Sequence, residues 1–315
     1  MGEAVIRDFT IFAGTSVPAL AAAVARELGV QLGARRIERF PDGETWVGLD
    51  EPARGRDVFV LQSTSPPVNE NLVELLAFAD ACRRAAAERI IAIIPYFGYA
   101  RQDKRHGRRE PITASMVALL LQAVGIDHVV TLDLHTPQIE GFFHIPVDNL
   151  SAVATLAAAI SGRMPTNAVV VSPDAGRVKT AAQYAHKLGA SVAVLHKQRV
   201  SGTETKVTHL VGDVRDRPCL IIDDMISTGG TIAESIEALL KAGARPEITV
   251  AATHGVFVEG ARDKLSHEAV REVLVTDSVS INSQGWPQLK VISIALVIAM
   301  AIRRFTAVGS ANDLR

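Results

Sequence analysis

The residues best equipped for chemistry lie where an apolar run, Leu220-Ile221-Ile222, ends in Asp223 and Asp224. Met225-Ile226 then leads into Ser227-Thr228-Gly229-Gly230-Thr231. Two adjacent carboxylates at a strand end can accept hydrogen bonds from two vicinal hydroxyls of a ribose. The Thr/Gly turn lets backbone N–H groups converge on a phosphate, and a helix expected over Ile232–Lys241 adds a favourable dipole. An ordinary strand-to-helix turn also uses Asp and Gly. Paired carboxylates before a Thr-Gly-Gly-Thr turn are more than turn chemistry requires.

Four further clusters carry candidate chemistry. Arg101, Gln102 and Asp103 follow Pro95-Tyr96-Phe97-Gly98-Tyr99-Ala100 and open a basic loop through Arg109. A guanidinium there can stack on a base or clamp a phosphate, although a solvated charged loop explains the same residues. Asp133-Leu134-His135 closes another apolar run, and Ser172-Pro173-Asp174-Ala175-Gly176 repeats the order of strand, Asp and Gly. His135 and Asp174 are candidate ligands of an oxygen-rich Mg²⁺ site, with imidazole an unusual ligand for so hard a cation. Lys197 and Arg199 sit past a strand at the start of a polar loop that runs to Gly212. Both can reach a polyphosphate as charge develops, and a surface hairpin with incidental charges is the alternative. Phe40-Pro41-Asp42-Gly43-Glu44 is a turn by its Pro and Gly, with a ring that can stack and carboxylates that can accept from an exocyclic amine. Walker A, G-x-G-x-x-G, zincin and G-x-S-x-G patterns are all absent.

Elements that could position these residues alternate as short β-branched runs and Ala/Leu-rich stretches, the pattern of βαβ units. Strands are expected at 9–13, 57–62, 89–94, 128–133, 168–172, 191–196, 219–223, 247–253 and 272–276. Helices are expected at 18–28, 69–87, 113–124, 151–160, 176–188 and 232–242. The unit from Ile90 through Ala123-Val124-Gly125 to Leu134-His135 is echoed by that from Leu220 through Ala242-Gly243-Ala244 to Thr253-His254-Gly255. Two similar α/β domains are therefore expected, 1–150 and 151–315, each a mainly parallel sheet flanked by helices. Candidate residues fall at the carboxyl ends of strands, where open parallel sheets bind ligands.

At 315 residues the chain can build two cores. Hydrophobic residues make up 48% and aromatics 5%, which suits a parallel sheet buried on both faces. A formal charge of −1 gives no global field for nucleic acid or anionic membrane. Cys82 and Cys219 lie in apolar surroundings and make no disulfide framework, so a cytoplasmic setting is expected. No secretory leader is read at the start. The run Val291–Ile302 is too short to span a bilayer and is expected to be a buried element.

Together these motifs resemble the ribose-phosphate pyrophosphokinase family from Phe9 to Arg304. The resemblance rests on Phe40–Glu44, Gln62-Ser63-Thr64, Pro95–Arg105, Thr131–Phe143, Ser172–Gly176, Lys197–Arg199, Gly212-Asp213-Val214, Asp223–Thr231 and Ala252-Thr253-His254-Gly255. It implies type I phosphoribosyltransferase-like domains and transfer of the diphosphoryl group of Mg-ATP to the C1 hydroxyl of ribose 5-phosphate. Carried over, Asp223, Asp224, Ser227, Thr228, Gly229, Gly230 and Thr231 bind ribose 5-phosphate. Arg101, Gln102 and Asp103 bind ATP, with Phe40, Asp42 and Glu44 reaching in from a neighbouring subunit. His135 and Asp174 hold Mg²⁺, and Lys197 and Arg199 stabilise the transition state. The resemblance also implies a dimer at least and a hexamer by family, with the C-terminal tail able to pack back on the first domain.

Departures from that family are local. Gly176-Arg177 stands where Gly-Gly is common. Pro52 replaces a Ser usual two residues before the Arg at Arg54, and Ser310-Ala311-Asn312 replaces a Ser-x-Ser. Catalysis is expected to be intact, with phosphate activation and ADP inhibition left open. A phosphoribosyltransferase would use Asp223–Thr231 but gives no work to Arg101, His135 or Lys197. A non-catalytic regulatory subunit would be expected to interrupt the loop after Lys197, and none is interrupted here.

Overall fold

The computed structural model describes residues 5–6, 8–105, 107–199 and 205–308. They form two compact units. The first takes in Met1–Leu150, Ser278–Ser280 and Ser293–Arg315, and the second Ser151–Asp277 and Ile281–Ile292.

The first unit starts with β1 (Val5–Ile6), β2 (Phe9–Ala13), α1 (Pro18–Leu28) and a hairpin of β3 (Arg35–Arg39) and β4 (Thr45–Leu49). There follow β5 (Asp57–Leu61), α2 (Val68–Arg84), β6 (Arg89–Ile94), α3 (Thr113–Ala123), β7 (His128–Leu132) and β8 (Val147–Leu150). Strands β2, β5, β6, β7 and β8 lie side by side in that order, every pair parallel. Every residue of β5 is buried, as a strand covered on both faces must be. Helix α2 turns Leu72, Leu75, Phe78, Ala79 and Cys82 inward at three- and four-residue spacing. The β3/β4 hairpin, read from sequence only as the Phe40–Glu44 turn, packs β4 on α2.

The second unit runs α4 (Val153–Ile160), β9 (Val169–Ser172), α5 (Val178–Leu188), β10 (Ser191–Arg199) and β11 (Thr205–Val211). It continues with β12 (Cys219–Ile226), α6 (Gly230–Lys241), β13 (Ile248–Gly255), α7 (Ala261–Leu265), β14 (Val270–Thr276) and β15 (Leu289–Ile292). Its seven strands are ordered β11-β10-β9-β12-β13-β14-β15, parallel except for the β10/β11 pair. From β9 the chain steps through α5 to β10 on one side, and from β12 through α6 to β13 on the other. The β9/β12 boundary is thus a topological switch point, where the crevice of an open α/β sheet forms.

Two expectations need correction. The polar loop from Lys197 to Gly212 is largely a β-ribbon: β10 runs to Arg199 and pairs with β11, with a register shift between His196 and Lys197. Polar residues occupy much of both strands, so no hydrophobic alternation marked them as paired. The run Val291–Ile302 is not one buried element. It holds the end of β15 and part of α8 (Ala295–Thr306), which leaves Leu296 and Met300 exposed. Helix α8 belongs to the first unit, where it packs on α1 and Arg303 Nη2 donates to the Glu27 carbonyl at 2.6 Å. The short β16 (Ala307–Val308) pairs with β1. Among the described residues no helix is long and apolar enough to cross a membrane.

Candidate functional site

In the second unit, the register of β9 against β12 pairs Val171 with Ile221. Asp174, two residues past the end of β9, and Asp223-Asp224, in the last half of β12, therefore lie toward the same end of the sheet. Asp223 and Asp224 are largely buried, with side chains 12% and 7% exposed. Burial is the main force raising the Asp223 carboxyl well above the ordinary carboxylate range. The charge of Asp224 and a side-chain hydrogen bond with it push the same way, and the Arg177 guanidinium opposes them. Asp223 Oδ1 also accepts from the Asp224 backbone N–H at 2.8 Å.

The loop after β12 is pinned at its base, where the Val258 N–H donates to the Ser227 carbonyl at 3.1 Å. Gly229 has φ 73°, a left-handed conformation that glycine adopts without a Cβ penalty, and a Cβ there would sit 3.3 Å from the Ala261 carbonyl. Helix α6 then starts at Gly230 with no side-chain cap at Gly229. Gly230 N–H lies 3.4 Å from Thr228 Oγ1. A helix start whose side-chain acceptor at Gly230 is the long contact from the exposed Thr228 is a chemical match for a phosphate. Helix α6 is held behind it by Ile232, Ile236 and Leu239, buried along one face.

Asp174 accepts from the Gly176 and Arg177 N–H groups at 2.8 and 3.1 Å, capping the short 3₁₀ turn Ala175–Arg177. Both of those bonds use Oδ1, so Oδ2 is not engaged in the cap. His135 follows β7 in the first unit and is half-buried. Among the described residues no three His, Cys, Asp or Glu side chains converge on one point. Asp174 offers a hard carboxylate oxygen of the kind that Mg²⁺ takes alongside waters and substrate phosphates.

In the first unit a cavity of about 250 Å³ is lined by Val68, Asn69, Tyr96, Tyr99, Arg101 and Gln102. Tyr99 holds φ 65°, a conformation that costs a bulky residue free energy. Its hydroxyl donates to Asn69 Oδ1 at the first turn of α2. Gln102 Oε1 accepts from Thr113 Oγ1 at 2.6 Å, which fixes its amide, and Asp103 Oδ2 accepts from Thr136 Oγ1 at 2.7 Å. Arg101 and Gln102 are exposed. Sequence motifs did not single out Val68 or Asn69, whose place on the cavity wall depends on how α2 sits against β6.

Phe40, Asp42 and Glu44 lie in the exposed β3/β4 turn, closed by Phe40 N–H to the Glu44 carbonyl at 2.8 Å. Lys197 and Arg199 end β10, in register with Val207 and Thr205, and their side chains lie outside the described residues. Ser310, Ala311 and Asn312 also lie outside them. One chemically placed residue had appeared only as a departure: Arg177, whose Nη2 lies 2.8 Å from Asp224 Oδ2 and whose Nε lies 3.4 Å from Asp223 Oδ1.

Comparison with known proteins gives the family of the chain. Residues 9–125 match the N-terminal domain of ribose phosphate pyrophosphokinase, and residues 198–314 match the phosphoribosyl synthetase-associated domain. The chain is 44% identical over 307 residues to a ribose-phosphate pyrophosphokinase of Fusobacterium nucleatum, spanning 96% of this chain and 97% of that one. It is 45% identical over 303 residues to that of Vibrio parahaemolyticus, spanning 95% and 96%. A crystal structure of phosphoribosylpyrophosphate synthetase from Mycobacterium smegmatis superposes with a TM-score of 0.88 at 44% identity, covering 95% of this chain and 99% of that one. Identity at this level over nearly the full length places the chain in the ribose-phosphate pyrophosphokinase family.

Proposed function

We propose that this enzyme transfers the β,γ-diphosphoryl group of Mg-ATP to the C1 hydroxyl of D-ribose 5-phosphate, giving 5-phosphoribosyl 1-pyrophosphate and AMP. The observation that carries this is the pair Asp223-Asp224 near the end of β12, followed by a glycine-shaped loop at the start of α6. Carboxyl groups there meet the 2- and 3-hydroxyls of the sugar, while Ser227, Thr228 and the N–H groups of Gly229–Thr231 take the 5-phosphate.

Diphosphoryl transfer needs alignment and charge stabilisation more than covalent help. Arg101, Gln102 and Asp103 are assigned to ATP, the guanidinium through its planar fork. Lys197 and Arg199 are assigned to the charge that develops on the transferring group. Mg²⁺, with Asp174 and His135 as candidate ligands, would neutralise charge on the phosphoryl oxygens. Phe40, which is 42% exposed, is assigned with Asp42 and Glu44 to the nucleotide of a neighbouring subunit, so a dimer at least is expected and a hexamer by resemblance. Two buried free thiols and this substrate pair suit a cytoplasmic enzyme.

The test is ³¹P NMR of the purified protein with Mg-ATP and ribose 5-phosphate, at low and high inorganic phosphate. Stoichiometric AMP and a new diphosphate at C1 are expected, and the phosphate series reads the regulation left open by Pro52. Consumption of 5-phosphoribosyl 1-pyrophosphate on adding a base, without its formation, would make the protein a phosphoribosyltransferase. No turnover of either kind would make it a regulatory subunit.

A further inference from the structure

We propose that Arg177 is a positioning residue of the sugar site, a clamp that holds the two carboxyl groups of Asp223 and Asp224 in the orientation that receives the vicinal hydroxyls of ribose. The inference rests on the assignment of ribose 5-phosphate to this loop, and deepens it with the residue that stands beside its two acids.

One edge of the guanidinium spans both acids, with Nη2 on Asp224 Oδ2 at 2.8 Å and Nε 3.4 Å from Asp223 Oδ1. All three side chains are largely buried, at 15%, 12% and 7% exposed for Arg177, Asp223 and Asp224. Two adjacent carboxyl groups in such surroundings repel one another when charged. A planar donor array bridging them opposes that repulsion and fixes both planes. The bridge reaches Asp223 Oδ1 and Asp224 Oδ2 from one side of the pair. Arg177 is itself held: its backbone N–H donates to Asp174 Oδ1, and the turn it ends leads directly into α5.

The placement follows from the switch point. Because β9 and β12 are neighbours in register, a residue in the first turn after β9 stands beside the last residues of β12. A glycine at this position could not send a side chain across. The cation also moderates a local excess of acid (Asp174, Asp223, Asp224) that would otherwise meet the dianionic phosphate of the incoming sugar.

Steady-state kinetics with ribose 5-phosphate and with 2-deoxyribose 5-phosphate tests this on wild type, Arg177→Gly and Arg177→Lys. Wild type is expected to discriminate strongly against the deoxy sugar, because fixed acceptors are left unmatched when a hydroxyl is missing. Arg177→Gly should raise KM for ribose 5-phosphate about tenfold or more with kcat within about threefold, the pattern of lost ground-state binding. Its preference for ribose over deoxyribose should shrink, since loosened carboxyl groups turn to water. Arg177→Lys should restore part of the affinity. An unchanged KM in a folded Arg177→Gly protein would overturn the proposal. A lowered KM would also overturn it and make Arg177 a competitor that the sugar must displace. Should Arg177→Gly fail to fold, the deoxy preference of Arg177→Lys decides, and wild-type selectivity there counts against the clamp. Absence of turnover by wild type would instead remove the functional assignment beneath it.

Discussion

Gln62 Nε2 donates to Glu74 Oε1 at 2.9 Å in a place solvent does not reach. The same carboxylate accepts from the Thr15 N–H and from Thr15 Oγ1, both at 2.7 Å, while Gln62 Oε1 accepts from the N–H and hydroxyl of Ser16. One buried acid on α2 thus ties together the turns that leave β2 and β5. It lies 3.9 Å from Arg39 Nη2, at the root of the β3/β4 turn. Glu74→Ala takes the acceptor from both Thr15 donors and the 2.9 Å bond from Gln62 Nε2, which keeps only its longer bonds to Asn71, and should cost about 3–5 kcal/mol. Calorimetry should show the loss as a lowered first transition.

Gly14 is the tight point of the same network. A Cβ there would stand 2.1 Å from Gln62 Oε1 and 2.8 Å from Glu74 Oε1. Neither side chain can retreat without breaking its hydrogen bonds, so Gly14→Ala should destabilise by about 1–3 kcal/mol. An unchanged Tm would mean that the turn shifts freely.

Asp223 makes one pH-dependent contribution to the stability of the unliganded enzyme. Burial, and then Asp224, hold its carboxyl well above the ordinary range, so the unfolded chain releases this proton near pH 4 while the folded chain retains it. Its stabilising contribution is complete below about pH 4 and lost as pH rises through the folded value. Asp223→Asn removes that penalty and the repulsion with Asp224. Its Tm should exceed that of wild type at pH 7, with the gap narrowing toward pH 4, and the sugar affinity should be lost.

Much of this was legible in the sequence because parallel strands buried on both faces are continuous apolar runs. Ile90–Ile94 and Leu220–Ile222 mark β6 and β12 unaided, and each delivers its polar residues at a strand end. Hairpins carry no such mark: β11 mixes Thr, Lys and His with Val and Leu, and its pairing with β10 depends on tertiary context. Arg177 was visible as a residue out of place, but not as a partner of Asp223 and Asp224. That partnership follows from β9 lying beside β12, a relation between strands 50 residues apart in the register Val169 to Cys219.

Neither cysteine should be reactive. Burial pushes the thiols of Cys82 and Cys219 up to about 12 each, so the thiolate is scarce at neutral pH. Iodoacetamide at pH 7.5 should leave both unmodified in the native protein and alkylate both after unfolding, as read by intact mass. Rapid native labelling of either would show that its helix or strand opens locally.

Lys197 offers the sharpest test of the catalytic assignment. It stands just after the register shift in β10, on a strand whose partner β11 returns directly to β12, and so on the ribbon next to the switch-point strands. If its ammonium meets charge that appears only as the diphosphoryl group moves, Lys197→Ala should cost about 2.7–4 kcal/mol in the barrier, the scale of one lost electrostatic donor. The loss should fall on kcat and kcat/KM alike, because the interaction is made in the transition state and not with bound substrate. That is the opposite split from the one expected of Arg177→Gly, so the pair of variants separates transition-state stabilisation from substrate positioning within one assay. A loss of less than about tenfold in kcat would remove Lys197 from the catalytic step.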